Sequence, residues 1–372
     1  MARIRVGIIG LSASAKTAWA SQAHLPALKA LHTKYTITAL CNSSVAKAKS
    51  AIKTYELPQT TKAYGDPQDL ADDPDVDLVV CNTRVDLHYE TIRPSIEKGK
   101  DVYVEWPLCS SLKDAQELNE LAKQKGVKTV IGLQTRVMPV VQKVKTLLEQ
   151  GRIGKVLSCQ IEAYGGTKSR NLLSSGISYF TQKKFGGNLV TIGFGHMIDY
   201  AHSVVGEFES FNANLRLLRP EVGLVRDGKV VETITSDVPD LIGMQGNLTS
   251  GIPMFVTYRR GPPFKGTMGL TWQIEGENGQ IRVTSEGPSL QASKDEIFLH
   301  VEDYKTEKVE EIDWSFERGD LPPQARSVYV MYDAFAKGDQ TLYPDFDDAV
   351  LRHREIDELF KSSDEGRKGK YL

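Results

Sequence analysis

Three groups of residues carry side chains suited to chemistry. Gly10, Ser12 and Ala15 follow the apolar run Ile4, Val6, Ile8, Ile9 with the spacing G-x-G-x-x-G. A tight turn from a strand into a helix N-terminus is a way to seat a pyrophosphate. Only the first position keeps glycine. Ser12 takes room where the backbone should come closest to the phosphate, and offers a hydroxyl donor in exchange. Ala15 is an accepted variant for helix–strand packing. The bland alternative is a strand–turn–helix that binds nothing. In the second group, His196 and Asp199 lie at i and i+3 of a helical stretch at 188–204, with Tyr200 at i+4 from His196. A histidine titrates near neutrality and can take the hydroxyl proton when a hydride leaves a carbinol carbon. Taken alone, such a histidine is more often a hydrogen-bonded core residue. The third group, Gln134 and Arg136, follows an apolar run at 127–133. If that run is a strand of a parallel sheet, both lie where its ligand crevice opens; for Arg136 a surface salt bridge is the alternative.

The elements that must position these groups follow from periodicity. After the opening strand, Tyr35–Cys41, Asp77–Cys81, Asp101–Glu105 and Val127–Leu133 read as strands. Pro26–Leu31, Val45–Tyr55, Leu87–Lys98 and Leu112–Lys125 read as helices between them. Strands alternating with helices over about the first 130 residues predict a doubly wound parallel sheet. The end of the second strand sets the cofactor. Cys41, Asn42, Ser43 and Ser44 supply no acid for the ribose 2′-hydroxyl of NAD, and Lys47 and Lys49 follow. The reading is NADP or NAD, leaning to NADP; helix capping is the alternative role for Asn42 and the serines.

Composition bounds the rest. A chain of 372 residues predicts two domains. A formal charge of −2 gives no broad field for nucleic acid or anionic lipid. Cys41, Cys81, Cys109 and Cys159 show no paired spacing and read as buried thiols, without a metal site. With neither a signal peptide nor a membrane span in the pattern, the expected location is cytoplasmic or nuclear, so the sequons at Asn42 and Asn247 carry little weight.

Further landmarks carry a resemblance: the opening turn, Asn82-Thr83, His88, V-E-W-P at 104–107 and G-G-N-L-V-T-I-G-F-G-H-M-I-D at 186–199. Over nearly its whole length the chain resembles the glucose-fructose oxidoreductase / inositol dehydrogenase / rhizopine-catabolism (Gfo/Idh/MocA) family. The resemblance implies an α/β Rossmann domain followed by an α+β domain with an open-faced, mostly antiparallel sheet. It implies a dinucleotide site drawn from Gly10, Ser12, Ala15, Asn42, Ser43, Asn82, Thr83, His88, Glu105, Trp106 and Gln134. It places ligand contacts at Arg136, His196 and Asp199. The family carries E-K-P with a catalytic Lys, and D-x-x-x-H-x-x-D in its second domain. Here Trp106 stands in place of that Lys and Ile192 in place of the first Asp, while His196 and Asp199 remain. An indole cannot titrate and isoleucine neither donates nor accepts a proton. If the chain is an enzyme, His196 and Tyr200 are left as candidates. Trp106 either packs into core or stacks on a ligand ring.

These departures, with matching stretches at Gly10–Ala27, Gly132–Arg136, Phe194–Asp199 and Val238–Leu248, resemble a branch of fungal galactose-regulon repressors. That implies a dinucleotide-binding transcriptional regulator whose partners are an activator and a sensor protein. The rival reading is an oxidoreductase acting on a sugar, polyol or secondary metabolite.

The expected boundaries are 1–135 for the dinucleotide domain, 136–345 for the sheet domain, and 346–372 for a returning helix and tail. The second domain reads as a linking helix, Met138–Gln150, then strands at Val156–Tyr164, Ser210–Leu218, Asp240–Leu248, Pro253–Tyr258, Gly269–Glu275, Gln280–Thr284 and Glu296–Val301, then helices near Gln324–Phe335 and Ala349–Phe360. An exposed apolar sheet face predicts a homodimer. The tail Ser362–Leu372 is charged and rich in small residues, and reads as frayed.

Overall fold

A computed structural model describes residues 2–12, 19–165, 167, 169–292, 294–315 and 320–372. The chain packs as two compact units: Met1–Val137 with Arg318–His353, and Met138–Glu317 with Arg354–Leu372.

The first unit is built on six parallel strands: β1 (Ile4–Ile9), β2 (Tyr35–Cys41), β3 (Lys62–Tyr64), β4 (Leu78–Cys81), β5 (Asp101–Val104) and β6 (Thr129–Ile131). Their order, β3-β2-β1-β4-β5-β6, is that of a doubly wound dinucleotide fold. Both faces are buried, as a parallel sheet covered by helices requires. Val6, Ile8, Leu40, Val80 and Tyr103 point into one apolar cluster, and Ile9, Cys41, Val79 and Val104 are buried among the alternate residues. β3 had no signal in the sequence, because Lys62-Ala63-Tyr64 is too short to show alternation.

The helix Pro323–Lys337 closes that first cluster with Val328, Met331, Tyr332 and Phe335. It therefore belongs to the first unit rather than to a sheet domain running to 345. The final helix, Phe346–Glu365, begins in the first unit and ends in the second.

The second unit carries an eight-stranded mixed sheet and a three-stranded one. The large sheet contains β7 (Val156–Gly165), β9 (Phe208–Arg216), β12 (Leu241–Leu248), β13 (Pro253–Arg260), β14 (Leu270–Gly276), β15 (Gly279–Ser285), β16 (Ile297–Asp303) and β17 (Lys308–Glu311). β7 and β13 pair in parallel and the other neighbours antiparallel. The small sheet holds β8 (Leu172–Ser174), β10 (Glu221–Arg226) and β11 (Lys229–Thr235). One face of the large sheet is core: Met244, Val256, Ile161, Trp272, Val283 and Leu299 follow one another across neighbouring strands, all buried.

The other face departs from expectation. Its row reads Asn212, Gln245, Phe255, Gln160, Gln273, Arg282, His300 across seven strands. It is amide-rich rather than apolar, with Phe255 as its exposed large hydrophobe. The tail also departs from expectation. Gly369 pairs with Phe211 through both backbone groups, and Tyr371 is buried. All four cysteines are free and buried. Among the described residues no helix is long and apolar enough to cross a membrane.

Candidate functional site

The carboxyl ends of the first unit's strands hold most of the expected cofactor residues. Gly10 ends β1 at φ +93°, and a Cβ there would lie 2.7 Å from the carbonyl oxygen of Asn82. Only glycine meets both demands. The Gly10 N–H donates to the Cys41 carbonyl (3.0 Å), and the Asn82 N–H donates to the Ile9 carbonyl (2.9 Å), so β1, β2 and β4 finish at one place. The Asn42 amide donates to the Leu11 carbonyl (2.9 Å), and the Tyr55 hydroxyl to the Ser12 carbonyl (3.0 Å). These bonds hold the start of the turn. Ala15 lies outside the described residues.

Asn82 has both amide atoms buried with no hydrogen-bond partner among the described residues, and so does the Gln134 side-chain oxygen. Buried amides are seldom left so. The orphaned amide of Asn82, beside the glycine turn, suits a polar ligand, and Gln134 offers a second buried acceptor past the end of β6. At the end of β2, Ser44 caps the helix Val45–Thr54, and the Lys47 ammonium donates to the exposed Ser43 hydroxyl (3.0 Å). Capping and a cationic, acid-free strand end thus coexist.

Thr83 and His88 have other duties. The His88 ring nitrogens lie 2.9 Å from the Pro107 carbonyl and 3.0 Å from the Thr83 carbonyl. Burial holds its pKa below the usual histidine range. The neutral ring has one N–H to donate to one of these carbonyls, and with main chain against both nitrogens His88 sits between the β4 loop and the turn after β5.

Glu105 and Trp106 form that turn. Trp106 is 4% exposed, its ring 4.8 Å from that of His353. His353 has a buried Nε2 with no partner among the described residues, and burial pushes its pKa down to about 3. Of the two roles read for Trp106, the packed one is present.

Glu105 leads to residues the sequence reading missed. Its Oε1 lies 2.7 Å from His24 Nε2, and His24 Nδ1 lies 2.7 Å from the Tyr332 hydroxyl. With Glu105 ionised, one neutral tautomer satisfies both contacts: Nε2–H donates to the carboxylate and Nδ1 accepts from the phenol. The Tyr35 hydroxyl donates to the Tyr332 carbonyl (2.6 Å). Gly132 makes room, since a Cβ there would lie 2.7 Å from Glu105 Oε2. Of these residues, the sequence marks only Glu105. The histidine sits in the matching stretch Gly10–Ala27, which was the available signal. Arg136 donates to Asp348 (2.9 Å), the salt bridge weighed for it.

The other candidates belong to the second unit. Asn188 opens a π-type turn, Leu189–Phe194, with a reciprocal cap to Thr191, and the helix Gly195–Val205 continues from it. Such wide turns concentrate at functional sites. His196 is half-buried and Asp199 is 1% exposed. Tyr200 corrects the sequence reading. It is 1% exposed, its ring is 5.5 Å from Trp272, its hydroxyl has no partner among the described residues, and burial raises its pKa well above the usual value. It is a core phenol, out of reach of a substrate. Ile192 lines a cavity of about 180 Å³ beside this turn. The same helix carries His202, which with Glu207 and Glu355 gathers ligand-type atoms within 4.8 Å of one another. His202 Nε2 contacts Glu355 at 2.9 Å and Nδ1 the Gly206 carbonyl at 2.6 Å.

Comparison with known proteins agrees with this architecture. A model of an oxidoreductase family with an NAD-binding Rossmann fold matches residues 4–133, and one of the Gal80p C-terminal domain matches 139–285. The dehydrogenase aclE of Aspergillus oryzae is 34% identical over 370 residues, covering 98% of this chain and 97% of that protein. The galactose/lactose metabolism regulatory protein GAL80 of Saccharomyces cerevisiae is 31% identical over 296 residues, 77% of this chain and 67% of that one. A crystal structure of a super-repressor mutant of Gal80p from the same yeast superposes with a TM-score of 0.89 at 26% identity, covering 100% of this chain and 98% of that one. A levoglucosan dehydrogenase in complex with NADH and L-sorbose superposes at 0.81 with 20% identity over 100% of both chains, a likeness of fold. The chain belongs to the Gfo/Idh/MocA oxidoreductase family, with an NAD-binding Rossmann domain followed by a Gal80-like C-terminal domain.

Proposed function

We propose that this protein binds a nicotinamide dinucleotide without turning over the polyols of its family, and acts as a regulator of the GAL80 kind through a transcriptional activator or a sensor protein. One observation carries the reading. Trp106, at the position where the family resemblance expects the catalytic Lys, is buried against His353, which burial keeps neutral. Neither ring offers a cation to polarise a carbinol oxygen. Asn82 and Gln134 fit a dinucleotide through their orphaned amides, Gly10 through its turn, and Ser43 with Lys47 through room for a 2′-phosphate. That last pair favours NADP over NAD. Such a cofactor, when bound, supplies a hydride donor or acceptor; the chain's own residues supply its seat.

A second reading, an oxidoreductase using His196 as base on a secondary metabolite, is favoured by the near-complete match to a protein named a dehydrogenase. Calorimetric titration of NADP(H) and NAD(H), followed by reduced-cofactor absorbance against aldoses, polyols and carbonyl compounds, separates the two. Binding without turnover supports the regulator; turnover abolished by His196→Ala supports the enzyme. Asn82→Ala is expected to weaken dinucleotide binding about tenfold, the loss of a hydrogen bond worth about 1.4 kcal/mol. Unchanged affinity removes Asn82 from the site.

A further inference from the structure

We infer that the cavity beside the Leu189–Phe194 turn, where Ile192 stands at the position of the family's first Asp, takes an apolar molecule of about one ring bearing a single carboxylate. This goes beyond the dinucleotide reading and does not depend on it. The cavity measures about 180 Å³. A protein cavity of about 150 Å³ is enough for benzene, which sets the size of the ligand body. Its walls are aliphatic where Leu173, Leu189, Ile192, Val222 and Val238 meet.

The polar groups on the wall are committed to the fold. The Asn188 side-chain oxygen accepts from the Val190 and Thr191 N–H groups, and the Thr181 hydroxyl donates to the Ser178 carbonyl. A sugar here would strip water from several hydroxyls and find few partners, a cost that grows with each one. Two guanidinium groups stand apart from this pattern. Arg260, 9% exposed, donates through Nη2 to the Arg219 carbonyl (2.6 Å) and to Asp240 (3.2 Å), while its Nε is buried with no partner among the described residues. Asp240 also accepts the Leu218 and Arg219 N–H groups, so its charge is shared. Arg170 donates to the Pro262 carbonyl (3.2 Å). Among the described residues lining the cavity there is no carboxylate. A lining with two guanidinium groups, one of them already paired to Asp240 but with its Nε–H unspent, no carboxylate and apolar walls matches an anion on an apolar body, and a carboxylate is the planar group that a guanidinium pairs with best.

The test titrates the full-length protein calorimetrically with 3-phenylpropionate, its neutral amide and myo-inositol. The carboxylate is expected to bind at least tenfold tighter than the amide, with no heat from inositol. Arg260→Leu would strand Asp240 and can fail to fold, so two other variants carry the test. Arg170→Leu is expected to lower carboxylate affinity with the amide unaffected. Ile192→Asp, which sets an anion on a half-buried wall position, is expected to lower carboxylate affinity at least tenfold. Equal binding of acid and amide, binding of inositol, or full carboxylate affinity in Ile192→Asp would each overturn the inference. Dinucleotide titration of the same preparation keeps the two readings apart: its failure overturns the cofactor reading and leaves this site standing.

Discussion

At the end of β5 an indole packs against an imidazole, and that pair makes a measurable electrostatic claim. Burial keeps His353 neutral down to about pH 3, whereas in the unfolded chain it protonates near 6.5. Between those values the unfolded state holds the extra proton, so acidification favours unfolding by up to about 1.4 kcal/mol per pH unit. Above about 6.5 the group contributes no slope. His353→Phe keeps a ring against Trp106 and removes the proton. The stability of the variant relative to the parent, from urea midpoints, is expected to be constant above pH 7 and to rise steadily as pH falls from 6.5 to 4. A difference that stays flat would mean that His353 is protonated in the fold. Residues of this kind were half legible. Gly10, Asn82 and Trp106 stand out because each sits at a fixed offset from a strand end. The Glu105–His24–Tyr332 chain does not, since His24 is 81 residues from one partner and 308 from the other. Tyr200 was misjudged because helical spacing gives a face and not its depth.

Elements were read well where burial enforces a period and poorly where a single contact decides. The strands of the first unit are continuous apolar runs because both faces are covered. The sequence pattern does not mark β3, β8, β10, β11 or β17; β11 is nearly all exposed and β17 wholly so, which leaves them no alternation. The tail shows how composition misleads. Its glycine is a contact residue: a Cβ on Gly369 would lie 2.5 Å from the Phe211 ring. Tyr371 completes the docking, donating from its hydroxyl to Glu207 (2.6 Å) while accepting from the Phe208 N–H (3.1 Å). Glu207 stands beside the His202–Glu355 pair, so the tail seals a buried polar cluster. Tyr371→Phe leaves a buried N–H unpaired and is expected to cost about 2 kcal/mol in chemical denaturation. Gly369→Leu is expected to release the tail and expose it to carboxypeptidase. Wild-type stability in Tyr371→Phe, or carboxypeptidase digestion of the wild-type tail as fast as that of Gly369→Leu, would return the segment to the frayed state its composition suggested.

At the scale of the molecule, the open face of the large sheet must either stay wet or meet a second copy of the chain. The apolar face expected from the sequence is absent, and this changes the kind of interface to look for. Asn212, Gln245, Gln160 and Gln273 are uncharged, so two copies bring no repulsion from the centre of the row, and Phe255 supplies an anchor between Gln245 and Gln160. A two-fold interface places the same patch on both sides, and amides, being donor and acceptor at once, are complementary to themselves. Such an interface is wetter than an apolar one, and its affinity rests on a few central side chains. The expected result is a homodimer at micromolar concentration by sedimentation velocity. Phe255→Arg would place two like charges at the centre and shift the protein to monomer. A wild-type monomer would leave the amide row as a solvated surface. A dimer untouched by Phe255→Arg would move the interface elsewhere, with the exposed hairpin of β10 and β11 the next surface to test, through Val230 and Val231.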